Sequence, residues 1–200
     1  MDYMSPQFDL NKPWKIRQFS LNFKHVFSLE YLYKRLHEWL VEENYCGSGD
    51  KWMEKLYLER VDSGGGKQIW IWWRTDKTYP PGSKFIKFYL DVDFHVLNLK
   101  NEEIVVNGTK VKTNKGECEV FVTAKMELDP EGEWNKNFIL KNKYIQNFYL
   151  NRMYKSQIEK AEDQLVKDAA RLLGAIKQYY QLESWLPEYA GPAFHAEKGE

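Results

Sequence analysis

Over residues 14–27 the chain partly alternates, with Phe19, Leu21 and Phe23 separated by Ser20 and Asn22, which is the period of a half-buried strand. Ser28 follows as an N-cap, with Phe27 before it and Leu32 after it at the two positions of a hydrophobic staple. Leu29, Leu32, Leu36, Trp39 and Leu40 then recur at helical spacing and predict a first helix over 29–43.

The loop Cys46-Gly47-Ser48-Gly49-Asp50 breaks that helix, and charged and apolar residues alternate again from Trp52 to Val61. Gly64, Gly65 and Gly66 permit the positive φ angles of a hairpin loop, and Gln68 to Thr75 supplies the returning strand. From Phe85 to Leu97 the alternation is clearest. Ile86, Phe88, Leu90, Val92, Phe94 and Val96 share one face; Lys87, Asp91, Asp93 and His95 share the other. Asn107-Gly108 is the preferred pair for a type I′ turn and marks another hairpin; Cys118, Val120, Val122, Ala124, Met126 and Leu128 then repeat the one-sided pattern.

After Asp129-Pro130-Glu131-Gly132 the period becomes helical. Tyr154, Ile158, Ala161, Leu165, Ala169, Leu172, Ile176 and Tyr179 form a three-and-four spaced stripe, and the helix starts as early as Lys143 and ends near Gln181. At helical rise such a segment is about 55 to 60 Å long, against roughly 40 Å for a strand of about 12 residues. It must kink near Leu150 or overhang the sheet. The expectation is one α+β domain over 14–182, preceded by an arm at 1–13 and followed by a tail at 183–200. Its sheet has about six to seven antiparallel strands packed against the long C-terminal helix, with one helix after the first strand.

That order of elements resembles the helix-grip fold of START-like and pollen-allergen-like proteins over residues 14–181. One helix follows the first strand here, where the family commonly has a pair. The resemblance implies a curved sheet wrapped around the last helix, with a cavity between them for an apolar ligand. A plain sheet with two helices on one face fits the same pattern nearly as well.

Charge narrows the classes of partner. The chain carries 29 basic and 29 acidic residues, so the whole molecule lacks the positive field that drives binding to nucleic acid or anionic membranes, although a local basic patch stays open. With 43% hydrophobic and 29% charged residues, no apolar run of about 18 and no signal-peptide pattern at the start, the expectation is a soluble, cytoplasmic protein. Cys46 and Cys118 form neither a disulfide framework nor a zinc pattern, and both read as thiols.

Several motifs fail on inspection. His37-Glu38 begins like a zinc-protease helix, but the second histidine's position is Val41. Gly64-Gly65-Gly66-Lys67 lacks the spacing of a phosphate loop, since Val61 and Gln68 occupy the places that need Gly and Ser or Thr. Asp91, Asp93 and His95 point to one side of one strand about 7 Å apart, so two of them could share a metal with a ligand from a neighbouring strand. The simpler reading, preferred here, is the polar face of a half-exposed sheet, and it covers Glu117, Glu119 and Glu127 as well.

Ile69-Trp70-Ile71-Trp72-Trp73-Arg74 stands out because large apolar groups occupy both faces of a strand. Trp70 and Trp72 project to one side, and Ile69, Ile71 and Trp73 to the other. These features favour a non-enzymatic binding domain. An apolar ligand or a protein partner would be held between sheet and long helix or on the tryptophan strand, with Trp70, Trp72, Trp73, Tyr179 and Tyr180 as the binding residues. Two alternatives remain: a structural protein that self-assembles into a homo-oligomer, and a small metal-dependent enzyme using Asp91, Asp93 and His95. No cofactor, nucleic acid or transmembrane segment is expected.

Overall fold

The computed structural model describes residues 10–46, 53–106 and 109–185. The first strand, β1, runs Trp14–Phe27, and the first helix, α1, runs Leu29–Glu42. Ser28 caps α1 as expected: its side chain accepts the Tyr31 N–H, and the staple residues Phe27 and Leu32 are both fully buried. Leu32, Leu36 and Leu40 form the buried stripe of α1. Asn44, at φ 60°, turns the chain out of the helix, and the Tyr45 N–H closes on the Leu40 carbonyl at 2.8 Å.

Four strands follow: β2 (Glu54–Val61), β3 (Lys67–Tyr79), β4 (Ile86–Val106) and β5 (Thr109–Leu128). The antiparallel sheet therefore has five strands, ordered β1-β5-β4-β3-β2, rather than the six to seven expected. The excess comes from cutting long strands in two. Register slips between Leu97 and Lys100, where Asn98 adopts φ 50° and Gly116 lies opposite. A Cβ on Gly116 would come within 2.9 Å of the Leu97 carbonyl oxygen, so only glycine permits this approach. The bulge reverses the phase of the alternation: even residues face the core up to Val96, and then Leu99 does. A strand that changes phase looks in sequence like one that has ended. Val106 pairs with Thr109 across the expected hairpin; Asn107 and Gly108 themselves lie outside the described residues, as do Gly47 to Trp52.

One face of the sheet is core. Ile71 and Trp73 of β3, Phe88 and Phe94 of β4 and Val122 and Met126 of β5 are all essentially inaccessible. Over β4 and β5 the cover is the last helix, α4 (Lys155–Trp185), whose Ile158, Ala161, Leu165, Ala169, Leu172 and Ile176 are equally buried, while Tyr33 of α1 packs on Trp73 of β3. Each fully buried Leu, Ile or Phe contributes on the order of 1.5–3 kcal/mol.

The helical run differs in detail from a single long helix. Asp129, at φ 52°, accepts the N–H groups of Glu133 and Trp134 at 2.8 and 2.9 Å and so starts a one-turn helix, α2 (Glu133–Lys136). A short helix α3 (Lys143–Phe148) leads through a π-helical segment, Tyr149–Tyr154, into α4. The change of winding falls at Leu150, where the length mismatch calls for a kink. α4 continues to Trp185, and the tail beyond it lies outside the described residues.

Candidate functional site

The sidedness expected of the tryptophan strand is present. Trp73 is fully buried, edge-on to Tyr33 and Phe94 with ring centroids 4.7 and 4.9 Å away. Trp70 and Trp72 lie on the opposite, outer face. Trp70 stacks on His95 at 5.3 Å, while Trp72 is 44% exposed with the Arg74 guanidinium 5.8 Å from its ring. Trp73 and the other two tryptophans therefore cannot serve one binding surface.

Around them the outer face carries a ladder of charges across β3, β4 and β5. Arg74 Nη1 donates to Asp93, and its Nε sits 3.7 Å from Asp91 Oδ2. Lys125 Nζ donates to that same oxygen of Asp91, and Lys87 reaches Asp76 at 3.0 Å. Both aspartates considered for a metal are thus engaged with cations, and His95 is engaged in stacking. A metal there would have to displace Arg74 and Lys125. Of the later glutamates, Glu127 accepts from the Tyr89 hydroxyl, and Glu117 accepts from Asn22 with Lys24 at 3.4 Å. These contacts hold the Glu117 carboxyl below its usual range, the Asn22 bond first. Among the described residues, no three His, Cys, Asp or Glu side chains converge as metal ligands.

Tyr179 and Tyr180 pack instead where β1 meets α1. The Tyr179 hydroxyl accepts the Ser28 N–H at 3.0 Å and donates to the Ser28 carbonyl at 2.9 Å, tying α4 to the start of α1. Tyr180 is buried, stacked on Phe23 at 4.1 Å and edge-on to Phe27. Burial raises its phenol pKa, with the adjacent Cys118 adding to the effect.

One cluster escapes sequence reasoning altogether. Asp168 of α4 is 2% exposed and accepts from the Tyr45 hydroxyl at 2.7 Å, from Gln164 at 2.8 Å and from Arg171 at 2.8 Å, with Lys77 Nζ 4.0 Å away. Arg171 also forms a two-pronged pair with Glu43 at 2.9 and 2.8 Å. Burial first, then the Asp168 carboxylate, raises the Tyr45 phenol. A partnered carboxylate with no unfilled acceptor role is a clamp joining the end of α1, β3 and α4, and it does not need a substrate. The only sequence signal is an acid, Asp168, one residue before the apolar stripe position Ala169.

The described residues line openings at the surface. A groove of about 120 Å³ lies between α1 and α4 at Leu36, Trp39 and Tyr179, and a cleft of about 270 Å³ lies at Tyr45, Met53, Arg74 and Tyr89. Neither lies between the sheet and the buried stripe of α4.

The edge of the sheet is more distinctive. β2 is an outermost strand, and Tyr57, Leu58 and Val61 on it are each more than half exposed. The other edge, β1, carries Lys15, Arg17, Lys24 and His25 with no acid. β2 mixes signs instead, with Glu54, Lys55, Glu59 and Arg60. A register shift between Glu54 and Leu56 marks a bulge near its start. No helix of the described residues is long and apolar enough to cross a membrane. No family model matches the chain, and no curated protein matches it either.

Proposed function

We propose that the protein is a non-enzymatic interaction domain that pairs with a second copy of itself along the open edge of β2. The observation that carries this reading is the self-complementarity of that strand. In an antiparallel ladder two opposed residues both point their backbone groups at the partner or both point away, so a twofold axis must pass through a residue. With the axis through Tyr57, Leu56 meets Leu58 on the outer face and Tyr57 meets itself, all beyond the bulge that sets Glu54 against the buried Trp73. Shifting the axis to Leu58 sets Leu56 against Arg60 and Tyr57 against Glu59; shifting it to Glu59 sets Leu58 against Arg60. Of these, only the Tyr57 register keeps each apolar residue opposite an apolar one, and each good cross-strand pair contributes roughly 0.2–1 kcal/mol.

The pairing also accounts for the tryptophan strand. Leu56 and Leu58 share the outer face with Trp72 and Trp70, their register partners on β3. Two copies joined at β2 bring these apolar patches into one surface across a continuous ten-stranded sheet (five strands from each copy). The uniformly basic β1 edge repels a like copy, which leaves β2 as the pairing edge.

The helix-grip resemblance is supported at the level of element order, with β1 closing against the last strand and a long helix packed on the sheet. Its apolar-ligand implication draws no support from the space beneath α4, where Phe88, Phe94, Met126, Leu165 and Leu172 are all in contact-packed burial. The metal-enzyme alternative is likewise weakened by Arg74 and Lys125.

Light scattering of the purified chain over a range of concentrations tests the pairing. A dimer is expected, which Leu58→Glu dissociates and Leu58→Glu with Leu56→Lys restores. A monomer at every micromolar concentration, or a dimer indifferent to both changes, would sink it.

A further inference from the structure

Residues 134–158 contain no acid; Glu131 and Glu133 precede them and Glu159 follows. The same stretch contains Lys136, Lys141, Lys143, Arg152 and Lys155, all exposed, and among the described residues only Lys155 has an acidic neighbour, Glu159 at 3.9 Å. The chain as a whole is neutral, so these five cations leave the remainder of the molecule with a net charge of 0 − 5 = −5. The charge is therefore segregated, and the local patch is hidden by the overall balance.

Apolar side chains crowd the same surface. Phe138 is 96% exposed and Tyr144 87%, with Ile139, Phe148 and Met153 each above 60%. The segment is nonetheless firmly seated: Trp134 stacks on Phe85 at 4.9 Å and meets Tyr154 at 5.6 Å, and Leu150 is buried. It thus has an inner face that anchors it and an outer face of aromatics interleaved with lysine and arginine. Water is a poor environment for that outer face, and a neutral protein groove would leave its cations unmatched. An interface with an apolar interior and a negatively charged skin satisfies both.

We infer that α2, α3 and the π-helical segment form a docking surface for anionic phospholipid, with Phe138, Tyr144 and Phe148 entering the acyl boundary and Lys141, Lys143 and Arg152 meeting phosphate and carboxylate headgroups. Nothing in this docking depends on pairing at β2. The surface lies in the interface plane and spans nothing, in keeping with the absence of a crossing helix among the described residues.

Co-sedimentation with vesicles of phosphatidylcholine, with and without phosphatidylserine, tests the inference. The full chain is expected to bind the mixed vesicles and release them at high salt. Removing one cation weakens binding about fivefold, so Lys141→Gln with Lys143→Gln lowers it about 25-fold. Phe138→Ser with Phe148→Ser is expected to lower it by at least about tenfold while the circular dichroism spectrum and light-scattering mass stay unchanged. Failure to bind either vesicle overturns the inference, as does equal binding to both. Binding of a single-stranded oligonucleotide without vesicle binding overturns it too, by giving the aromatics and cations to stacked bases and phosphates instead. A change of oligomeric mass in the Phe138/Phe148 variant would reassign the patch to contact between copies.

Discussion

The helical run after the sheet contains two regions built from similar residue types with opposite outcomes. α4 turns its apolar stripe inward, burying Leu165 and Leu172 on the sheet, and leaves charge on the outside. The stretch from α2 through the π segment turns only Trp134, Leu150 and Tyr154 inward and leaves Phe138, Tyr144 and Phe148 in water. Hydrophobicity alone therefore does not decide burial here. What decides it is whether a side chain meets the core beneath, and in the π segment only Leu150 is buried.

Substitutions on the two sides should separate the regions by size of effect. Phe88→Ala or Leu165→Ala, which open cavities under α4, should each cost roughly 2–5 kcal/mol in urea unfolding; near-wild-type melting of both would overturn the core described here. Asp168→Ala removes the acceptor shared by Tyr45, Gln164 and Arg171 and should cost about 2–3 kcal/mol, read by the same unfolding curves. A loss no larger than a typical surface change would mean that the clamp is ornamental.

Alkaline titration probes the sheet side more gently. Burial pushes the Cys118 thiol up to about 11, and burial with the Glu54 carboxylate pushes the Tyr33 phenol up to about 12. Both folded values exceed the unfolded ones, so the stability they contribute is fully present below about pH 8.5 and is lost as pH rises through 11 and 12. Unfolding monitored against pH should show this alkaline decline, and a flat profile to pH 12 would contradict the burial of both groups. Smallest of all, Phe148→Ser at its exposed position should leave thermal stability within about 0.5 kcal/mol, and a larger loss would show that its ring is packed.

The same contrast explains how much was legible beforehand. Periodicity tells which residues share a face, so β1, the cap at Ser28, the stripe of α4 and the opposite sides of Trp72 and Trp73 all follow from spacing. It does not tell whether a face is covered. Tyr144 and Phe148, four apart, share a helical face by spacing, yet both stand exposed. The bulge at Asn98 depends on the approach of Gly116 from another strand, and Tyr45 meets Asp168 across 123 positions. Neither contact leaves a local pattern. The candidate site was legible only in part: the tryptophan strand stands out, while the charge segregation at 134–158 disappears into a net charge of zero.

The sheet order bears on how the chain is made. Of the described strands β1 is synthesised first, yet its one neighbour is β5, paired from Phe27 with Asn114 to Trp14 with Met126. On the ribosome β1 must wait, its Phe19, Leu21 and Phe23 unpaired, until β5 has emerged. Such long-range closure is slow and exposes nascent chains to aggregation, so productive synthesis should depend on holding chaperones more than that of a chain whose strands pair in order of emergence.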